Sequence, residues 1–303
     1  MPRCRQSIAL LVIIAASSAG CGLVGYDAVS VSTGDPGSEA DAAPTSSVGM
    51  LDPDFGAGGT VIFDYVDDDG TSKDDRATAV AIDSADRIVV SASGTHTYYA
   101  NDDQFDMAAI TMRLLPDGTF DSSYQSGSLS SPGVTIDTTS RWSHANDLIL
   151  TPTDDVVVCG YREWGSNDDP TIYRYTAATG DPDPTFGTGG VTNVSVTSEG
   201  QGWACAVDPT DGGYIVAGAR SSDFMFAAKL SASDGSVVTS FAGGLLTYDV
   251  AGEEHGADVV VDSLGRVYIV GYADAGAPPH DIMVWRYLAD GTLDSSFSED
   301  GIF

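Results

Sequence analysis

At 303 residues, with 42% hydrophobic and 19% charged side chains, the chain carries enough apolar content to bury a real core, which excludes wholesale disorder. Its 44 acidic side chains against 13 basic ones give a formal net charge of −31. A surface of that sign repels phosphate backbones and anionic lipid, so it excludes nucleic-acid binding by counterion release and leaves cations and basic partners. The 35 glycines and the lack of long helical apolar periods point to an all-β chain of short strands joined by tight turns.

The chain opens with Arg3 and Arg5 ahead of an apolar run over residues 8–16 (IALLVIIAA), too short to span a bilayer, which reads as an export signal. Ser18, Ala19 and Gly20 lead into Cys21, and this SAGC segment resembles the lipobox of bacterial lipoproteins, with Ser18 where that family has Leu or another aliphatic residue. The resemblance implies a signal peptide over 1–20 and a diacylglyceryl group on the Cys21 thiol. Gly22 in place of Asp looks like the pattern of lipoproteins sent on to the outer membrane, so the expected address is the cell envelope. Residues 21–48 are rich in Ser, Ala, Gly, Asp and Pro with no apolar period, as a flexible tether would be. The membrane is thus met only through lipid, and a monomeric folded domain is expected over 49–303.

Past residue 50 a marker recurs: LDPDFGAGG, FDSSYQSG, DPTFGTGG, VTSFAGG and LDSSFSEDG. Its aromatic falls at Phe55, Tyr124, Phe186, Phe241 and Phe297, spaced by 69, 62, 55 and 56 residues. Each module holds four apolar runs in fixed order, the first module over 60–65 (TVIFDY), 77–83 (ATAVAID), 87–92 (RIVVSA) and 107–114 (MAAITMRL). Runs of this length, rich in Val and Ile and bounded by Gly and Asp, are strand signals. Four strands per period near 55 residues suit a β-propeller of four-stranded antiparallel blades, because one such sheet buries neither face until neighbours flank it. The alanines of the second run (Ala77, Ala79, Ala81, Ala204, Ala206, Ala257) suit the innermost strand.

The order LDxxFGxxG, AVAID, IVVSA and DMAAITMRL, closed by a DG turn, resembles the delta-60 repeat and is similar to the DUF5122 β-propeller family over about residues 50–303. That resemblance implies the fold and no settled activity. About four modules are complete, with a fifth begun at Ile302. The ring is therefore expected to be incomplete or truncated, or else closed by a strand at Thr60 that completes the last blade.

Candidate chemistry is sparse. Nucleophile elbows and zinc helices are missing, and the glycine pairs of the markers recur with the module, so they read as turns. Aligning the second run at Val80, Leu148, Cys205 and Val259 puts Arg76, His144, Gln201 and His255 four residues upstream, at one mouth of the channel. Loop-borne residues there differ between blades, as ligand-binding residues on a fixed scaffold do. A repeated cation, Arg113, Arg174, Lys229 and Arg286, is expected to pair with an acid such as Asp169, Asp223 or Asp281. The acidic stretches Asp67, Asp69 and Asp74, 101–103 and 167–169 offer oxygen ligands for Ca²⁺, the one cofactor in view, without the spacing of an EF-hand loop. Cys159 and Cys205 remain once Cys4 leaves with the signal; export permits a disulfide, and both align with small or apolar core positions, which fits buried free thiols equally. Two functions follow: a surface binding or scaffolding module for a protein or carbohydrate ligand without catalysis, or a secreted propeller hydrolase or lyase with its site at the channel mouth.

Overall fold

The computed structural model describes residues 51–64, 74–96, 106–124, 131–137, 142–164, 167–196, 199–220, 224–249, 252–273, 280–298 and 300–303. The signal (1–20), Cys21 and the tether, together with Asp67, Asp69, Asp223 and the acidic stretch at 101–103, lie outside those residues.

The Val- and Ile-rich runs form 15 strands, and the described residues contain no α-helix, only a 3-10 turn at Ala242–Gly244. Blade 1 is β1 (Asp75–Ile82), β2 (Ile88–His96), β3 (Asp106–Leu114) and β4 (Val134–Ile136) in that order. Blade 2 is β5 (Ser143–Leu150), β6 (Val156–Trp164), β7 (Asn167–Tyr175) and β8 (Val191–Asn193); blade 3 is β9 (Gln201–Val207), β10 (Tyr214–Arg220), β11 (Phe224–Leu230) and β12 (Leu246–Tyr248). Blade 4 has β13 (Glu254–Val261), β14 (Val267–Ala273) and β15 (Asp281–Tyr287), and the tail adds an outer edge where Val284 and Phe303 exchange backbone bonds of 2.8 and 2.9 Å. All strand pairs are antiparallel. The alanine-rich second run is the inner strand, as expected, with β5 packed between β1 and β9, and β9 between β5 and β13.

This is the expected propeller architecture with one change of phase. The first run of each module is the outer strand of the blade before it: β4 and β8 follow a marker in sequence yet pair with the strand that precedes that marker. The copy at Thr60 does not complete blade 4, whose outer edge is the tail. It lies against blade 1, where the Gly56 N–H donates to the Asp117 carbonyl at 2.8 Å and the Phe63 ring sits 6.1 Å from Phe120. The ring stands open between blade 4 and blade 1.

Burial shows the gap. Leu148 is 5% exposed against blade 1, whereas Val80 at the same position in blade 1 is 67% exposed. Met225 is fully buried against blade 4, whereas its counterpart Ile282 is 84% exposed. Inside the ring each junction has its own apolar core. Between blades 2 and 3 it includes Val157, Ile172, Val216 and Phe226; between blades 3 and 4 it includes Ile215, Met225, Ile269 and Trp285. Fully burying side chains of this size contributes about 1.5–3 kcal/mol each, so the junctions rather than single sheets hold the domain.

Two repeated devices stitch neighbours together. The marker aromatic tucks beneath the glycine turn of the next blade, Tyr124 under Gly180 and Phe186 under Gly235, where an added Cβ would stand 2.9 and 2.8 Å from the ring. Those turn glycines have φ of 72° and 71°, a region that side chains adopt at a cost. The repeated cation does the second job. Arg113 binds Asp121 at 2.8 Å and donates to the Ala177 carbonyl of blade 2; Arg174 binds Asp183 at 3.1 Å and Asp155 at 2.9 Å and donates to Ala232 of blade 3. The partner is thus the marker's own aspartate, not Asp169 or Asp281: Asp169 feels Arg162, and Asp281 is exposed. The fourth marker has Val238 in place of that aspartate, and there the cation is Lys229, which turns to Asp208 and Asp211 at 2.6 and 2.7 Å.

Candidate functional site

The four residues expected at one mouth do share a register position. Arg76, His144, Gln201 and His255 pair with Ser93, Tyr161, Ala219 and Tyr272 of the second strand in blades 1 to 4. Beside each, the inner strand carries one extra residue: Thr78, Asn146, Trp203 and Ala257 fall at the register shifts. A β-bulge re-aims the side chain that it carries. Opposite three of the bulges the second strand must be glycine. A Cβ on Gly160, Gly218 or Gly271 would lie 1.7, 1.9 or 1.7 Å from the carbonyl oxygen of His144, Gln201 or His255.

The bulge residues divide the mouth into two clefts that share Trp203 as a wall. One, of about 830 Å³, is lined by Asp74, Arg76, Thr78, His144, Asn146 and Tyr161. His144 stacks on Tyr161 with ring centroids 4.4 Å apart, and burial pushes its imidazole from the ordinary 6.5 down to about 4. Asn146 is held by donating its amide N–H to the Gly202 carbonyl at 2.7 Å. Of the calcium candidates, Asp74 is an exposed residue of this cleft, and the stretch 167–169 opens β7 with Asp168 in the other cleft. Among the described residues, the group that gathers three ligand-type side chains is not acidic-loop residues but Asp147, Cys159 and Cys205.

The other cleft, of about 400 Å³, takes Gln201 and His255 together with Asp168, Glu199, Glu253, Glu254, Trp203 and Tyr272. His255 is stacked on Tyr272 at 5.0 Å and tilted against Trp203 at 5.2 Å, and burial holds its imidazole below the ordinary range. Asp168, at the start of β7, is half-buried; burial pushes its carboxyl up, and the Glu199 and Glu163 carboxylates push it further against a hydrogen bond from Gln201. Glu254, which precedes His255, is fully buried, whereas Glu199 and Glu253 are exposed. The cleft thus combines a carboxyl pushed above its ordinary range, exposed carboxylates and an aromatic wall. The sequence pointed to Gln201 and His255 but missed Trp203, Tyr272 and the two glutamates that precede His255. Asp168 stood out only as a member of an acidic stretch.

Residues 265–297 match the DUF5122 β-propeller, a domain of unknown function, so the resemblance read from the sequence holds over part of the last complete repeat. Comparison with curated proteins finds no match. Among solved structures, an α-L-arabinofuranosidase from Clostridium thermocellum is 13% identical over 72% of this chain and 70% of its own, with a TM-score of 0.34. A GH130 structure is 12% identical over 74% and 70%, with a TM-score of 0.38; its family is described as mannoside phosphorylases containing glycoside hydrolases that target β-1,2 mannosidic linkages in Candida mannan. Both are enzymes of carbohydrate chemistry, and at these TM-scores the likeness carries no argument about this chain. The expectation of a binding or scaffolding module without catalysis is corrected in favour of its alternative on the residues of the mouth alone.

Proposed function

We propose that the protein is a glycoside-cleaving hydrolase, held at the cell envelope by lipid on Cys21, with its site in the cleft between Asp168, Trp203 and His255. The observation that carries this reading is the pairing of carboxyls in unlike surroundings on one aromatic-walled cleft. Glycoside hydrolysis needs a carboxylic acid that protonates the leaving oxygen and a carboxylate that activates water or attacks the sugar. Asp168 suits the first role because burial and its acidic neighbours favour its proton. Glu199, exposed beside it, suits the second. Trp203 and Tyr272 offer apolar faces for a sugar ring, and neutral His255 offers a hydrogen bond to a hydroxyl rather than a charge.

The test is release of reducing ends from a panel of neutral and basic polysaccharides. Activity should be lost as pH rises through the Asp168 pKa, because the acid form is the working one. Asp168→Asn should lower kcat by at least about 100-fold, within the range of general acid catalysis, with the fold unchanged by circular dichroism. Turnover retained in Asp168→Asn, or none in the wild type on any substrate, overturns the assignment. Cleavage that leaves an unsaturated product makes the enzyme a lyase instead.

A further inference from the structure

Away from the mouth, blades 2 and 3 bring two thiols together. Cys159 lies on β6 and Cys205 on β9, and their sulfurs and an Asp147 carboxylate oxygen all lie within 4.8 Å of one another. Both cysteines are buried and free in this structure, and their thiols share a hydrogen bond. Asp147 is fixed by accepting the Cys205 backbone N–H at 3.0 Å and that of Leu148 at 2.8 Å. The two strands belong to different sheets, so the pair bridges a blade junction rather than a hairpin.

We propose that Cys159 and Cys205 form a structural disulfide that crosslinks blades 2 and 3 in the exported protein. Three observations support it. The two sulfurs lie within 4.8 Å of each other across the junction core, close to the length of a disulfide bond, about 2.05 Å. Every other cysteine of the chain lies at or before residue 21. The buried thiols are also poor nucleophiles once folded, because burial raises both and the nearby Asp147 carboxyl raises them further.

The last point sets the order of events. Oxidation precedes closure of the junction, while the thiols are still exposed. One cysteine thiolate attacks the disulfide of an oxidised dithiol oxidoreductase and expels one donor sulfur as a thiolate. The second cysteine thiolate then attacks the mixed disulfide and expels the other. Two thiols lose two electrons and two protons, and the donor disulfide becomes a dithiol. The inference rests on the export read from residues 8–16 and is independent of the glycosidase reading.

The test uses full-length protein exported and purified without reductant, unfolded in denaturant with an alkylating reagent, and mapped by peptide mass. A 159–205 crosslinked peptide that reductant separates is the expected result; alkylation of both residues without reductant overturns the proposal. Zinc bound one per chain, with both thiols alkylated after chelation, also overturns it, since the Asp147 group would then be a metal site. Reductant should lower the wild-type Tm by about 10 °C, given a crosslink spanning 46 residues. The Cys159→Ala/Cys205→Ala double variant should melt at the reduced wild-type temperature whether or not reductant is present. A wild-type Tm indifferent to reductant, with both cysteines modified, refutes the bond.

Discussion

The junction between blades 2 and 3 and the two open faces of the ring are built from the same repeat, and they differ in what covers them. At interior junctions the marker aromatics Tyr124, Phe186 and Phe241 are buried, whereas Phe55 and Phe297 at the ends are half-buried. Arg113 and Arg174 reach the next blade's turn through Ala177 and Ala232. Arg286 of blade 4 keeps the contacts within its own module, to Asp294 and Ser296 and over Phe297 at 4.7 Å, as Arg113 does to Asp121, Ser123 and the Tyr124 ring. The same motif thus makes its local contacts everywhere and adds the clamp where a neighbour exists. Stability in such an array is the sum of unit terms and nearest-neighbour terms, and the ends lack the second.

Substitutions at equivalent positions break or sharpen this contrast. The largest effect belongs to Met225→Arg, which puts a charge into the blade 3–4 core and should cost more than about 4 kcal/mol, read as loss of soluble folded protein. Next is Phe186→Ala, expected to cost about 3–5 kcal/mol in urea unfolding, against about 1 kcal/mol or less for Phe297→Ala. Equal costs for the two would mean that the end marker is covered in solution. A smaller effect should come from pH. His144 has a folded pKa of about 4 against an ordinary 6.5, so the unfolded chain binds the extra proton and stability falls as pH drops through that window. A Tm followed from pH 6.5 down to 4 should decline less in His144→Gln than in the wild type. The smallest change is expected for Ile282→Arg, within about 0.5 kcal/mol, because that side chain already faces solvent.

The contrast also explains what the sequence could and could not disclose. Strand number, inner-strand identity and the turns were legible because they recur: a position that is alanine or valine in several copies reads through the noise of any single one. The phase between repeat and blade entered only as one of two alternatives, in the strand at Thr60 completing the last blade, since pairing of β4 with β3 rather than with β1 is a non-local fact that alternation within a strand does not encode. Trp203 escaped for a related reason. A bulge adds one residue, and period-two reading beyond it assigns side chains to the wrong face. The cation partners were legible in principle, because Lys229 replaces arginine in the module where Val238 replaces aspartate. A joint reading of those two columns would have found the pair. Asp168 stood out only within an acidic stretch, because its raised carboxyl depends on burial, then on Glu199 from the loop before β9 and on Glu163 beside it on the hairpin.

The offset between repeat and blade has a consequence for how such a chain changes length. Because each outer strand is encoded after the marker that follows its sheet, a cut placed at one marker aromatic and rejoined at another, such as Tyr124 to Phe186, removes three strands of one blade and the outer strand of its predecessor. The outer strand downstream then falls to that predecessor. Every remaining sheet keeps its strand count and Phe186, taking the place of Tyr124, still meets a glycine turn, so recombination between copies adds or deletes whole blades without leaving a torn edge at the splice.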